Sequence, residues 1–349
     1  MRAVLIREFG SADVLRLEEV TDPDPGRGQV LVRVAAVEVS RTRDVATRTG
    51  RHPFSQQVTL PHVLGGDFAG TVVAVGEGAD PALVGRRVAV SNTESCGECP
   101  ECEAGHEERC AELSMLGVHR PGSYAELAVV AAGNVHAIPD DLSMPAAAAL
   151  AADGSIAFTQ LQVAAVGPGT ALLVTGVTGA LGSTLAALAA RLGAKVIGLS
   201  RRPAAVPEAL GLSANLQAED PDLTATLMAA TQGAGLAAVA DNVANPTAFE
   251  HYFPALGVGA RVVFSGAIGN PELPILAVPA GPLYVKSLSL LGVRTTTPGD
   301  RRRFWSLVED GFRLPAELIE ELPLEDAAET HRRIEAGTQL GHTVLTTGA

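Results

Sequence analysis

The sequence predicts an α/β protein in which a doubly wound parallel sheet is joined to a β-rich domain, and three observations carry that prediction. Residues 170–202 read as apolar strand, glycine turn, Ala/Leu-rich helix and second apolar strand. The texture of the chain changes at Met144, from short alternating apolar runs to Ala-rich helices alternating with apolar strands. All four cysteines fall between positions 96 and 110, inside the first part.

Taken in order, residues 1–145 read as an all-β region. Short apolar or alternating runs at 1–6, 29–37, 71–76, 87–90 and 124–130 are separated by turn material such as Asp-Pro-Asp-Pro-Gly at 22–26. Residues 146–290 form the parallel part, with strands at 171–175, 196–199, 236–240 and 261–265 and a last one at 287–293. One doubly wound sheet is complete there, so 291–349 is expected to return to the first domain. That tail offers an amphipathic helix around 300–310 and a final strand at 342–346. No internal repeat or low-complexity tract interrupts the pattern.

The totals agree with this reading. Of 349 residues, 47% are hydrophobic and 19% charged, which suits a compact chain with a large core. The net charge of −13 argues against nucleic acid and against anionic membrane surfaces as partners. Lysine occurs only at 195 and 286, a bias of composition rather than of mechanism. The opening MRAVLIREFG enters a strand pattern with no signal-peptide character, so a cytoplasmic location is expected.

The turn between the first two parallel strands has a specific chemistry. Gly176, Gly179 and Gly182 allow a tight turn, close backbone approach to a diphosphate and close helix–strand packing. Free N–H groups at the helix start then hold the phosphates, with the helix dipole adding to the attraction. Thr175, Thr178, Ala180 and Leu181 complete the expected cofactor-binding run. The second strand ends in Ser200-Arg201-Arg202 with no acid. A ribose 2′-hydroxyl calls for Asp or Glu at this tip, whereas two guanidiniums and a hydroxyl suit a 2′-phosphate. The expected cofactor is NADPH.

Cys96, Cys99, Cys102 and Cys110 are spaced C-x2-C-x2-C-x7-C in a Gly/Glu/Pro loop. Four thiolates with no water-bearing position describe one closed, structural Zn²⁺ site in a lobe at about 93–112. His106 lies within the loop and is expected to be a solvated neighbour.

Together these pieces resemble the zinc-containing medium-chain dehydrogenase/reductase family, which includes alcohol dehydrogenases and quinone and enoyl reductases. The resemblance covers essentially the whole chain. It rests on GGDFAGTVVAVG at 65–76, GSYAE at 122–126, the cysteine lobe, the glycine turn and RVVFSG at 261–266. It implies a GroES-like catalytic domain and a Rossmann coenzyme domain, with Asn242, Ser265 and Gly266 added to the cofactor cleft. It also implies a small-molecule substrate and a homodimer formed through the last strand of the Rossmann sheet, 287–293.

The departures from the family pattern bear on the reaction. The family's catalytic-zinc cysteine, counted back from Asp44, falls on Arg41; its His-Glu pair falls on Gly66-Asp67, and its last ligand falls near Ala152-Asp153. The structural zinc is kept and the catalytic ligand set is lost. A site improvised from Asp67, Asp153 and His52 or His62 lacks the soft ligands. Without a Lewis acid on the oxygen, alcohol oxidation is disfavoured. The resemblance then implies NADPH-dependent reduction of an activated C=C bond or a quinone. Two alternatives stand: a carbonyl or alcohol oxidoreductase with Arg41 replacing zinc, or a non-redox enzyme or binding protein on the same fold.

Four residues, Arg41, Asp44, Asp67 and Tyr124, are candidates for the catalytic site. Arg41 is read either as an anchor for a substrate oxygen or as an ion-pair partner of Asp44 or Asp67. Asp67 is a proton relay or a counter-ion. Tyr124 is a proton donor or a packed ring with its hydroxyl bonded. His52 and His119 are lesser candidates for a general acid, and water is another proton source.

Overall fold

The computed structural model describes residues 1–201, 208–266 and 275–348. Two compact units divide the chain: residues 1–155 with 297–349, and residues 156–296. The tail therefore rejoins the first unit. The boundary lies ten residues beyond the expected 145, and packing explains the difference. Helix Met144–Ala151 starts at Ser143, whose side chain accepts from the Ala146 N–H at 3.3 Å. This helix buries Ala147 to Ala151 against strands of the first unit, including Gln29–Glu38 and Phe68–Val75.

The first unit is built on a seven-stranded mixed sheet. Its order is Val135–Ala137, Arg87–Val90, Phe68–Val75, Gln29–Glu38, His342–Thr346, Ile319–Pro323, with Leu127–Ala131 also pairing on Gln29–Glu38. Alternation along Gln29–Glu38 sends Val30, Val32 and Val34 inward, where they join Phe68, Val88, Leu116 and Leu345 in one core. Strand His342–Thr346 lies antiparallel to Gln29–Glu38 with Val344 opposite Glu38. That pairing sets residues 344–346 beside residues 36–38.

The second unit is a six-stranded parallel sheet in the order Ala214–Gln217, Lys195–Ser200, Ala171–Thr175, Leu236–Asp241, Leu256–Phe264, Ser289–Gly292. The chain begins in the middle, runs outward to one edge, and crosses back to build the other half. The strand order therefore reverses between Ala171–Thr175 and Leu236–Asp241, where open α/β sheets bind ligands beyond the strands' carboxyl ends. Helix Ala180–Arg191 buries Leu185, Ala186, Leu188 and Ala189. The core holds Leu173, Ile197, Val239, Phe249 and Val262. No helix among the described residues is long and apolar enough to cross a membrane.

Candidate functional site

In the parallel unit the glycine turn sits at the strand-order reversal. Gly176 has φ +65°, a conformation that strains any residue with a Cβ, and its N–H donates to the Leu199 carbonyl at 2.8 Å. A Cβ on Gly182 would stand 2.2 Å from the Gly176 carbonyl oxygen, so the turn and the helix meet only because both positions are glycine. Gly179 is the N-cap of the twelve-residue helix Ala180–Arg191. Thr178, Gly179, Ala180 and Leu181 are partly exposed along this rim. The first N–H groups of a helix have no intrahelical partner and point at whatever lies beyond its end.

Across the reversal, Asp241 ties the two central strands together. Its Oδ1 accepts from Thr175 Oγ1 at 2.8 Å and from the Val243 and Ala244 N–H groups at 3.1 and 2.9 Å, while Oδ2 accepts from the Tyr252 hydroxyl at 2.7 Å. Thr175 Oγ1 in turn accepts from the Asn242 N–H at 3.0 Å. Ser265 Oγ donates to Asn242 Oδ1 at 2.9 Å, and Gln160 Nε2 donates to both at 3.1 and 2.5 Å. A Cβ on Gly266 would fall 2.3 Å from the Asn242 carbonyl. Thr175, Asn242, Ser265 and Gly266 are thus brought together, as the cofactor reading requires. Sequence reasoning missed Gln160, Asp241 and Tyr252. The polar residue closing the apolar run LAAVAD was the available signal for Asp241.

This cleft fits a dinucleotide. Besides the free N–H groups at the helix start, Asn242 Nδ2 and Gln160 Oε1 are buried with no hydrogen-bond partner among the described residues. They are an unspent donor and acceptor suited to a polar ligand group. At the tip of the second strand Ser200 is buried and Arg201 exposed, while Arg202 lies outside the described residues.

In the first unit the cysteines form a cage. Sulfur separations are 3.5 Å for Cys99–Cys102, 3.6 Å for Cys96–Cys110 and 3.9 Å for Cys96–Cys102. A tetrahedral ion with bonds of about 2.3 Å to sulfur sets its ligands about 3.8 Å apart, so the four thiols fit zinc closely. Backbone N–H groups of Glu98 and Cys99 lower the Cys96 thiol to about 7, while burial raises the Cys102 thiol to about 12. His106 is exposed and stands outside the cage.

At the family's catalytic-metal positions the structure places an ion-pair cluster, and its cation is not the expected one. Residues Arg41–Val45 form a wide turn in which the Val45 N–H reaches the Ser40 carbonyl, five residues back, at 3.3 Å. Arg41 is exposed, and its Nη1 donates to the Ile334 carbonyl at 3.0 Å. The ion pair with Asp44 and Asp67, one of the two readings of Arg41, is made by Arg43. Its Nε and Nη2 hold both oxygens of Asp44 at 2.8 and 2.9 Å, and Nη1 bonds Asp67 Oδ2. Burial opposes charge on Arg43, but Asp44 and Asp67 together outweigh it and raise its pKa. Burial also raises the Asp67 carboxyl, against the pull of Arg43. The remaining oxygens are committed: Asp44 accepts from the Ser40 and Gly65 N–H groups at 2.8 and 3.2 Å, and Asp67 Oδ1 accepts from the Asn92 N–H at 3.0 Å.

Gly66 follows from this arrangement. A Cβ there would lie 2.9 Å from Arg43 Nη1, 2.6 Å from Asn92 Cβ and 2.9 Å from the Leu116 carbonyl. The guanidinium occupies the space a histidine at 66 would need.

The other candidates are drawn into packing. Tyr124 is fully buried, with its hydroxyl 3.0 Å from His331 Nε2 and 3.5 Å from Asp44 Oδ2. Burial, then Asp44, raises its pKa well above the ordinary value. His52 Nδ1 accepts from the Phe54 N–H at 3.3 Å, and burial followed by the charge of Arg43 lowers this ring to about 4. His119 Nδ1 accepts from the Met115 N–H at 2.9 Å. Neither His52 nor His62 joins Asp67 or Asp153 in a ligand cluster among the described residues. Glu38, whose carbonyl accepts from Arg43 Nη2 at 3.3 Å, bonds His342 with its carboxyl.

Comparison with known proteins is consistent across the chain. Residues 26–140 match the alcohol dehydrogenase GroES-like domain, and residues 180–310 match the zinc-binding dehydrogenase family. A solved NAD-dependent alcohol dehydrogenase is 31% identical, covers 100% of both chains and superposes with a TM-score of 0.90. The L-galactonate-5-dehydrogenase of Escherichia coli K12 is 29% identical over 89% of each chain. An L-threonine 3-dehydrogenase of Coxiella burnetii is 28% identical over 92% of this chain and 93% of its own. On these matches and on its two-unit architecture, the chain belongs to the zinc-binding medium-chain dehydrogenase superfamily.

Proposed function

We propose that this oxidoreductase uses NADPH to reduce an activated C=C bond, in an enone or enoyl substrate, or a quinone. Hydride transfer on this reading needs no metal at the family's catalytic ligand positions. One observation carries it: the Arg43 guanidinium fills the place of a metal-binding side chain at Gly66 and neutralises Asp67. An alkoxide in the making calls for a Lewis acid, whereas a conjugated acceptor spreads the incoming charge onto its own carbonyl oxygen. The nicotinamide supplies the hydride. The chain's residues bind and orient: helix Ala180–Arg191 holds the diphosphate, Ser200 and Arg201 the 2′-phosphate, and Asn242, Ser265 and Gly266 line the rest of the cleft. The Cys96, Cys99, Cys102 and Cys110 cage holds a structural zinc.

A second reading is oxidation of a hydroxyl or reduction of a carbonyl, favoured by the names of the relatives, which act as alcohol, threonine and galactonate dehydrogenases. An absorbance assay of NADPH consumption against enones, quinones, ketones and aldehydes separates the two. Turnover confined to ketones and aldehydes overturns the first reading.

The proposed assembly is a cytoplasmic homodimer formed across strand Ser289–Gly292. That strand is an edge of the parallel sheet, and Tyr284 and Val285 in the preceding helix are 85% and 74% exposed. Light scattering should give twice the chain mass of 35.8 kDa, and a monomer would contradict it.

A further inference from the structure

The first unit holds a second cluster of metal-ligating side chains, separate from the cysteine cage. Glu38 ends strand Gln29–Glu38, and His342 begins the strand that pairs with it. Since Val344 lies opposite Glu38, His342, two residues earlier, projects from the same face. Asp153 opens helix Asp153–Val163 and completes the group. One donor atom from each residue lies within 4.8 Å of the others. Glu38 Oε1 bonds His342 Nδ1, and Asp153 Oδ2 is 4.0 Å from that same nitrogen.

The surroundings of this cluster are rich in acids. Four carboxylates, Glu38, Asp44, Asp67 and Asp153, lie in one neighbourhood with Arg43. Arg43 is bonded to Asp44 and Asp67. Glu38 and Asp153 are left with an imidazole that burial holds neutral. Burial raises the Glu38 and Asp153 carboxyls well above the usual carboxylate range, and a bound dication would take the place of the protons they carry. The donor set agrees, because one ring nitrogen and two carboxylate oxygens suit Zn²⁺, Co²⁺ or Mn²⁺. Ligands about 2.1 Å from an ion lie at most about 4.2 Å apart. An ion entering the cluster would replace the Glu38–His342 hydrogen bond, parting those two groups, and draw the partly exposed Asp153 carboxyl inward from its 4.0 Å separation from His342 Nδ1.

We propose that Glu38, Asp153 and His342 bind one first-row divalent cation, as a metal site distinct from both the cysteine cage and the family's catalytic ligand positions at 41, 66 and 67. Only Asp153 lies at a family ligand position; Glu38 and His342 are contributed by the paired strands. The site is independent of which acceptor the enzyme reduces.

The test is a titration of the zinc-loaded protein with Mn²⁺, followed by the electron paramagnetic resonance signal of free Mn²⁺, alongside metal analysis after growth in zinc. The site predicts about one Mn²⁺ bound per chain and a melting temperature that rises with added metal. Asp153→Asn and His342→Gln should each weaken Mn²⁺ binding at least tenfold while keeping the zinc of the cysteine cage. Asp153 accepts no hydrogen bond from the described residues, so its amide variant preserves the fold if His342→Gln does not. Absence of Mn²⁺, Co²⁺ and Zn²⁺ binding beyond the cage would overturn the proposal. So would binding that Asp153→Asn leaves unchanged.

Discussion

Arg43 Nη1 lies 2.9 Å from the point where a Cβ on Gly66 would stand, and Asn92 Cβ and the Leu116 carbonyl lie 2.6 and 2.9 Å from it, so a histidine at 66 meets the buried guanidinium and two less yielding neighbours. Restoring the family ligands by Arg41→Cys with Gly66→His should therefore add no zinc over the parent protein while Arg43 remains. The crowding at Asn92 Cβ and the Leu116 carbonyl should cost about 1–3 kcal/mol for Gly66→Ala alone. Metal analysis and urea denaturation check the two halves.

Arg43 and Arg41 should respond very differently to truncation. Arg43→Met leaves Asp44 and Asp67 buried without their cation, a loss of about 3–5 kcal/mol. The loss should shrink in acid, because burial raises the Asp67 carboxyl toward its neutral form. Arg41→Ala removes an exposed side chain that donates to the Ile334 carbonyl and should cost about 0.5–1.5 kcal/mol. Equal effects from the two would contradict the assignment of the cation to Arg43.

Cofactor choice is tested at the strand tip. Arg201→Ala should raise the KM for NADPH about tenfold and leave that for NADH nearly unchanged, since one charge-assisted phosphate contact contributes about 1.5 kcal/mol. Gly182→Val should abolish binding of both, because its Cβ meets the Gly176 carbonyl at 2.2 Å. Fluorescence titration of the reduced cofactors reads both.

Acid should destabilise the protein through His331. Burial lowers this ring from 6.5 to about 4, and its Nε2 is engaged by the Tyr124 hydroxyl. Between those two values the unfolded chain takes up a proton that the native ring does not, so the stability contribution is complete above pH 6.5 and declines as pH falls toward 4. From pH 6.5 to 5 the loss should be about 2 kcal/mol for this one group. His331→Gln should flatten that part of a stability–pH curve measured by urea denaturation, and an unchanged slope would rule His331 out.

The coenzyme unit and the cysteine cage of the first unit were legible because their signals are local. Apolar runs of strand length, glycines where φ is positive or a Cβ would clash, and the C-x2-C-x2-C-x7-C spacing each report a nearby constraint. They anticipated the α/β architecture, the cysteine cage and the turn at Gly176. Arg43 was missed for a geometric reason. Counting from Asp44 finds Arg41 at the ligand position, but the wide turn at 41–45 sends the side chain two residues later inward, and nothing in the sequence marks that turn. Glu38 and His342 are 304 residues apart and meet only through the antiparallel pairing of their strands. Tyr124 was open to two readings, and the structure buries it against His331, a partner with no sequence signal.

The most direct test of the central claim is the rate of NADPH oxidation by an enone or quinone before and after dialysis against a chelator that leaves the cysteine-cage zinc in place. The account predicts turnover with at least one such acceptor, unchanged by chelation. Silence with every enone and quinone, together with NAD-linked alcohol oxidation that chelation abolishes and zinc restores, would contradict it.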